Sequence, residues 1–256
     1  MKRLCAFLPL LTLALATPSF ASHSWGGYHW ARTSTPFTLQ LLNNMSSAEW
    51  SGFLSLVSAD WSKSSVLHTN IMSGTGGGNC RAKAGTVQIC NRKYGFNGWL
   101  GLAQIWISGN HITQATVKVN DSYFYTTSYN NANAKRHVLC QEVGHTFGLN
   151  HQSFSGSDSC MDDVNGLFDQ AYVSPNAHDY EQLVTIYNSH TDSSATVAQL
   201  LTGAASYEEG TDVPANFGRP VGTGRVPEVL FVRELPDGRK IFTHVVPAPV
   251  GNPDER

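Results

Sequence analysis

Apolar and polar residues alternate in several short runs of this chain and switch to helical spacing in a few others. Thr35 to Leu42 (Thr-Pro-Phe-Thr-Leu-Gln-Leu-Leu) alternates well enough for a first strand, which Asn43-Asn44 ends. Ser46 with Glu49 three residues on reads as a capping box. From there Trp50, Phe53, Leu54, Val57 and Trp61 recur at helical spacing. That pattern predicts a first helix laid on a sheet, with its tryptophans in the core and not in a binding stripe. Ser64 to Met72, Thr86 to Cys90, Leu102 to Ser108 and Thr113 to Asn120 read as further strands, the last alternating most cleanly. Gly95 to Gly101 reads as a turn-rich connection, and Asp121 to Asn133 as a polar, aromatic loop in which Asn131 or Asn133 could cap the next helix. Ser174-Pro175-Asn176 starts another helix, with Tyr180, Leu183, Val184 and Tyr187 as its buried face. Strands and helices in this mixture predict an α+β fold.

Beyond residue 191 the pattern thins. Thr191 to Gly224 is rich in small residues, glycine and proline, with one helix-compatible stretch at Thr196–Ala204; it reads as a linker or loosely packed extension. Val229 to Val232 and Lys240 to Val246 flank Pro236-Asp237-Gly238, a hairpin signal. A lone hairpin is marginal in water, so this one should dock on something or belong to a sorting or protein-contact module. Ser73 to Asn79 is glycine-rich, but no Gly-Lys-Ser/Thr follows that would make it a phosphate cradle.

Composition sharpens this in two ways. Lys2 and Arg3, an apolar run from Leu4 to Ala16 and small residues at Ser19-Phe20-Ala21 form a targeting segment, too short for a membrane span. The expected division is residues 1–21 as signal peptide, 22–192 as the main domain, and 193–256 as linker and C-terminal extension. The expected destination is a periplasm or the outside. Removing Lys2 and Arg3 leaves 15 basic against 19 acidic residues, a net charge of −4, which argues against nucleic acid as a partner. Four cysteines then remain, an even number suited to two disulfides in an oxidising compartment. Of three pairings we favour Cys80–Cys90 and Cys140–Cys160. The second would close a loop of about 20 residues, worth roughly 3 kcal/mol if unstrained.

The candidate chemistry lies in His137 to His151 (His-Val-Leu-Cys-Gln-Glu-Val-Gly-His-Thr-Phe-Gly-Leu-Asn-His). Residues four apart share a helix face, so Gln141 and His145 can both point at one ion. Glu142 stands beside the first, where a carboxylate can reach activated water without being a ligand. Gly148 suits a left-handed helix end, after which the chain can turn and bring His151 back. Two imidazoles and a third group, with a fourth position left for water, make an open catalytic zinc site. His137 lies about 12 Å along the axis from His145, too far to share its ion. His111, beside Gly109-Asn110, reads as an exposed turn residue, with a second metal site as the lesser alternative. Asp158, Asp162, Asp163 and Asp169 could take calcium, but scattered loop acids are ordinarily just solvated.

At these residues the sequence resembles the metzincin clan of zinc endopeptidases, whose signature is H-E-x-x-H-x-x-G-x-x-H followed by a methionine turn. Here the signature reads Gln141-Glu142-Val-Gly-His145-Thr-Phe-Gly148-Leu-Asn-His151, with Ser159-Cys160-Met161-Asp162 downstream. Glutamine replaces the first histidine; bacterial matrixin-like secreted proteins look closest. The resemblance implies a twisted mixed sheet, a first helix, an active-site helix, a methionine turn and a C-terminal helix, closing near Ser189 to Ser193. It also implies that a rim strand pairs with extended substrate, for which 102–108 and 113–119 are the candidates.

The function so implied is a secreted zinc-dependent endopeptidase acting on protein or peptide substrates, with the oligomeric state left open. Zn2+ would be held by His145, His151 and Gln141, and Glu142 would be the general base toward metal-activated water. An amide oxygen reaches about as far as a histidine nitrogen but is a weaker donor to zinc, so affinity should suffer more than acidity. The alternative is that Gln141 only hydrogen-bonds nearby and the chain is an inactive metzincin-like scaffold used for binding.

Overall fold

The computed structural model describes residues 23–24, 26–74, 80–152, 158–162, 166–204, 211–221 and 230–255. The expected targeting segment, the glycine-rich stretch 75–79 and Asp163 lie outside them. The fold is α+β, built on one mixed sheet. Its strands are β1 (His29–Trp30), β2 (Phe37–Asn44), β3 (Leu67–Ser73), β4 (Thr86–Arg92), β5 (Asn97–Ser108), β6 (His111–Asn120), β7 (Arg219–Pro220), β8 (Leu230–Glu234) and β9 (Lys240–Val250). Their order is β3-β2-β4-β6-β5-β9-β8-β7, with β1 pairing β6 off this path. The half from β3 to β6 is parallel, and β5 turns antiparallel to β6.

Helix α1 (Ala48–Trp61) buries Trp50, Leu54, Val57 and Trp61 against the sheet, as its spacing predicts. Its cap is Ser47, one residue later than the sequence suggests: Trp50 N–H donates to Ser47 Oγ. Glu49 is drawn instead to the buried ammonium of Lys135, 3.0 Å away. Two short stretches also depart from expectation. Asn97 to Gly101 is strand, not connection; two register shifts let the glycines there be absorbed into β5. Asp121–Phe124 forms a short helix, α2, capped by Asn120.

Helix α3 (Ala132–His145) is capped by Asn131, and α4 (Ala177–Tyr187) by a reciprocal box between Asn176 and Asp179. Both favoured disulfides are present, Cys80–Cys90 and Cys140–Cys160, consistent with an extracellular protein. No helix among the described residues is long and apolar enough to cross a membrane.

The C-terminal hairpin docks, and on a specific strand. β9 pairs antiparallel with β5 from Ile107↔Lys240 to Asn97↔Val250. Neither candidate for an open rim strand is therefore at an edge: β6 lies between β4 and β5, and β5 between β6 and β9. Where it is described, the preceding stretch is held only at points, and the helix over Ser194–Gly203 buries none of its residues. After α5 (Ser194–Gly203), Thr211 and Phe217 are buried on the sheet. Phe217 packs with Trp99, Leu102 and Val245. Lys118, inward-facing and almost wholly buried, reaches Thr211 Oγ1 at 3.0 Å and Asp212 at 3.5 Å.

Candidate metal centre

Helix α3 is held to the core along its length. Trp61 Nε1 donates to the Cys140 carbonyl at 3.2 Å, and the Cys140–Cys160 bridge ties the helix to the segment carrying buried Met161. Gly144 makes that approach possible: a Cβ there would lie 2.5 Å from Met161 Sδ and 2.6 Å from Trp61 Cζ2. Past the helix end Gly148 takes φ +91°, with the Tyr28 carbonyl against it, so both its conformation and its lack of a side chain are needed. The returning chain is fixed by Ser24 bridging to Leu149, by the Asn150 N–H donating to the His23 carbonyl, and by Gln152 N–H donating to the Met161 carbonyl. Buried Asp179 accepts from Gln152 Nε2, Ser159 Oγ and Asn176 N–H, joining this return to α4.

The turn brings His151 back to His145, with their Nε2 atoms 2.9 Å apart. His145 Nδ1 is 2.9 Å from the Leu149 carbonyl. A carbonyl only accepts, so Nδ1 carries the proton and Nε2 presents its lone pair to the cluster. This arrangement orients metal-bound histidines. A third imidazole joins them: His244, from β9, stacks on His145 with centroids 3.7 Å apart and planes 7° from parallel. One ligand atom from each of His145, His151 and His244 lies within 4.8 Å of the others. Burial, then the neighbouring imidazole (His151 for His145, His145 for His244), holds His145 and His244 well below the ordinary histidine range. Burial, then His137 nearby, lowers His151 to about 4 against the pull of Asp162, even though part of its surface reaches solvent. All three are neutral imidazoles at neutral pH, the form that binds a metal.

Gln141 is buried on the same helix one turn earlier, and its Nε2 donates to the Asp162 carbonyl at 3.0 Å. Glu142 is fully buried, with no hydrogen-bond partner for either carboxyl oxygen among the described residues. Gly101 on β5 makes its space: a Cβ there would stand 2.8 Å from Glu142 Oε1 and 2.5 Å from Val138 Cγ1. Burial drives this carboxyl well above the usual carboxylate range; the backbones of Val246 and Ala103 lower it only in part, without reaching hydrogen-bond geometry. Val246 pairs with Gly101 and His244 with Ala103. Directly opposed residues point to one face of a sheet, so β9 lies over Glu142 and the histidines together.

The sequence reading reaches four of these five residues and misses His244. Its signal was there. In Phe242-Thr-His244-Val-Val246 a histidine stands on the apolar face of a predicted strand. His137 stays outside the cluster, as expected; its Nδ1 is 2.8 Å from the Tyr172 carbonyl, and burial lowers it to about 4. His111 does not behave as an exposed turn residue. It begins β6 half-buried, beside His29, His190 and Asp192. Of the four aspartates weighed for calcium, Asp169 caps a turn by accepting from Ala171 N–H. Asp158, Asp162 and Asp169 join no metal-sized group among the described residues.

No family model and no curated protein matches the chain. Solved structures similar in fold include "Structure of Myroilysin", at a TM-score of 0.38 and 12% identity over 64% of this chain and 86% of that one. "Crystal structure of myroilysin" follows at a TM-score of 0.34 and 11% identity, over 68% of this chain and 97% of that one.

Proposed function

We propose that the chain is a secreted zinc-dependent endopeptidase and that the form described is its closed state. The observation that carries this reading is the apposition of His145 Nε2 and His151 Nε2 at 2.9 Å, with the uncompensated carboxyl of Glu142 on the same helix. The donor set fits zinc: neutral imidazoles, one with its far nitrogen engaged by a carbonyl, in a buried setting. When bound, a zinc ion supplies Lewis acidity toward a peptide carbonyl and toward water.

The remaining roles belong to the chain. His145 and His151 are ligands in either state. His244 is the third ligand of the closed state, carried in by β9. Gln141, one turn before His145 on the same helix face, is the third ligand once β9 has left. Glu142 takes a proton from water and returns it to the leaving amine. For that it must be ionised, and removal of β9 favours ionisation by admitting solvent to a carboxyl whose charged form burial now disfavours. An extended substrate would pair with β5 in the place β9 now fills, backbone to backbone. Met161 is packing beneath the helix, not a ligand.

The test is metal analysis of the purified chain together with chelator-sensitive cleavage of casein or a peptide library. Glu142→Gln should keep the metal and lose turnover; cleavage at an unchanged rate in that variant would remove Glu142 from the mechanism. A second reading, a metal-binding scaffold without hydrolysis, is favoured by the same strand β9, because it supplies His244 and fills β5 at once. It predicts metal retention with no cleavage by any variant that loosens β9.

A further inference from the structure

A second group of ligand-type side chains lies away from the first. We propose that His29, His111, His190 and Asp192 form a structural site for a zinc-class divalent cation that pins the N-terminal strand to the sheet and to the chain leaving α4. One donor atom from each lies within 4.8 Å of the others. The strand register makes half the site: β1 runs parallel to β6 with His29 paired to His111, their rings 4.8 Å apart and edge-on. The ring of His190 meets His29 at the same distance, also edge-on. Asp192 Oδ1 is 3.1 Å from His111 Nε2 and 4.0 Å from His190 Nε2.

Two details distinguish this group from a chance gathering of polar residues. His29 is more than nine-tenths buried, and its Nε2 has no hydrogen-bond partner among the described residues. Its Nδ1 lies 2.8 Å from the Gly27 carbonyl, which fixes the proton there and leaves the lone pair on Nε2. A buried acceptor without a donor costs free energy unless something fills its valence; a cation does so. The loop bearing the other ligands is also fixed in advance. Arg32 Nη2 donates to the carbonyls of Tyr187 and His190, both at 2.6 Å, while the Asp192 N–H donates to the Arg32 carbonyl at 2.7 Å. Asp192 Oδ2 accepts from Arg32 N–H at 3.1 Å, leaving Oδ1 for the cluster. The Arg32 guanidinium thus donates to carbonyls, and its charge acts on Asp192 only through space. Three imidazoles and one carboxylate form a closed four-coordinate set of the structural type, borderline in softness, which suits zinc over calcium or magnesium.

The site would act on the first centre without touching it. β1 joins Tyr28, whose carbonyl abuts Gly148, to Trp30, whose Nε1 donates to the Thr146 carbonyl at 2.8 Å. These contacts brace the turn between His145 and His151. An ion clamping His29 to β6 and to the chain after α4 therefore steadies the geometry of that turn.

The two sites separate by mutation of the full-length protein. Zinc is titrated after chelation and dialysis, and stoichiometry is read by elemental analysis and by competition with a chromophoric chelator. His145→Ala/His151→Ala, which disables the first centre, should still bind one zinc ion and gain thermal stability from it. His190→Ala alters the most exposed ligand and so should fold. It should lower the stoichiometry by one relative to the parent and, combined with the double variant, abolish the zinc-dependent rise in Tm. Cobalt bound to the double variant should give the visible spectrum of a tetrahedral nitrogen–oxygen site. Absence of zinc binding in the double variant, or unchanged stoichiometry in His190→Ala, overturns the proposal. Neither result depends on peptidase activity, so failure here is distinct from failure of the first centre.

Discussion

His244→Ala separates a latch from a working ligand. The imidazole is 1% exposed and lies flat on His145, so its removal deletes a stacking contact and one candidate ligand together. The hold of β9 on β5 comes from nine registered cross-strand pairs. At about 0.2–1 kcal/mol each, these amount to about 2–9 kcal/mol, enough to keep an open form rare but reachable. Ring stacking of this kind contributes about 0.5–1.5 kcal/mol. With the metal bond added, losing His244 should weaken the closed state by about 1–3 kcal/mol, equivalent to about a 5–150-fold rise in the open population. The backbone pairing survives, so the fold should too. The assay is hydrolysis of a quenched peptide library at saturating zinc, with zinc affinity measured in parallel. Expected are weaker zinc binding, by at least about 10-fold since even outer-shell partners matter that much, and a faster rate per zinc-loaded chain. A rate that falls at saturating zinc would refute the latch and make His244 a ligand of the working site. Unaltered zinc affinity would remove it from the metal altogether.

Other outcomes follow from the same geometry. Gly101→Ala should push on Glu142 and Val138, costing about 1–3 kcal/mol as an overpacked core position does. A urea titration reads this, and an unchanged midpoint would mean that Glu142 does not pack under β5. Gln141→His should bind zinc more tightly and turn over at least as fast once β9 is loosened by His244→Ala; zinc affinity unaltered by Gln141→His in that background would argue that residue 141 never meets the ion. Asp254, at the far end of the hairpin, accepts from Ser128 Oγ and from the Thr127 and Ser128 amides, which hold its carboxyl at about 2, below its unperturbed 3.8. The folded value is the lower one, so this clamp is complete above about pH 4 and is lost as pH falls through 2. Amide exchange at Thr127 and Ser128 should rise over that window, and Asp254→Asn should remove the pH dependence; an identical acid profile in that variant would count against the clamp.

What could be read in the chain beforehand divides along a physical line. Helix α1, the parallel strands and the turn at Gly148 are written locally, in hydrophobic spacing and in a glycine whose φ of +91° few other residues tolerate. The approach of His145 and His151 is local too, since only the five-residue bend 146–150 separates them. Three features are not local. The cap shifts from Ser46 to Ser47 where distant residues claim both halves of the expected box, Asn91 the amide and hydroxyl of Ser46 and Lys135 the carboxylate of Glu49. His29, His111, His190 and Asp192 meet only through strand register and the end of α4. His244 reaches the centre only because β9 chooses β5 as its partner. A hairpin's alternation says which residues share a face but not which surface that face will cover. On the proposed function, that choice of partner governs activity. The same pairing sets a third imidazole beside His145 and His151, lies over Glu142 and occupies the strand an extended peptide would need. Holding an ion and admitting a substrate would then be opposed through one element, and a single opening of β9 would relieve all three constraints together.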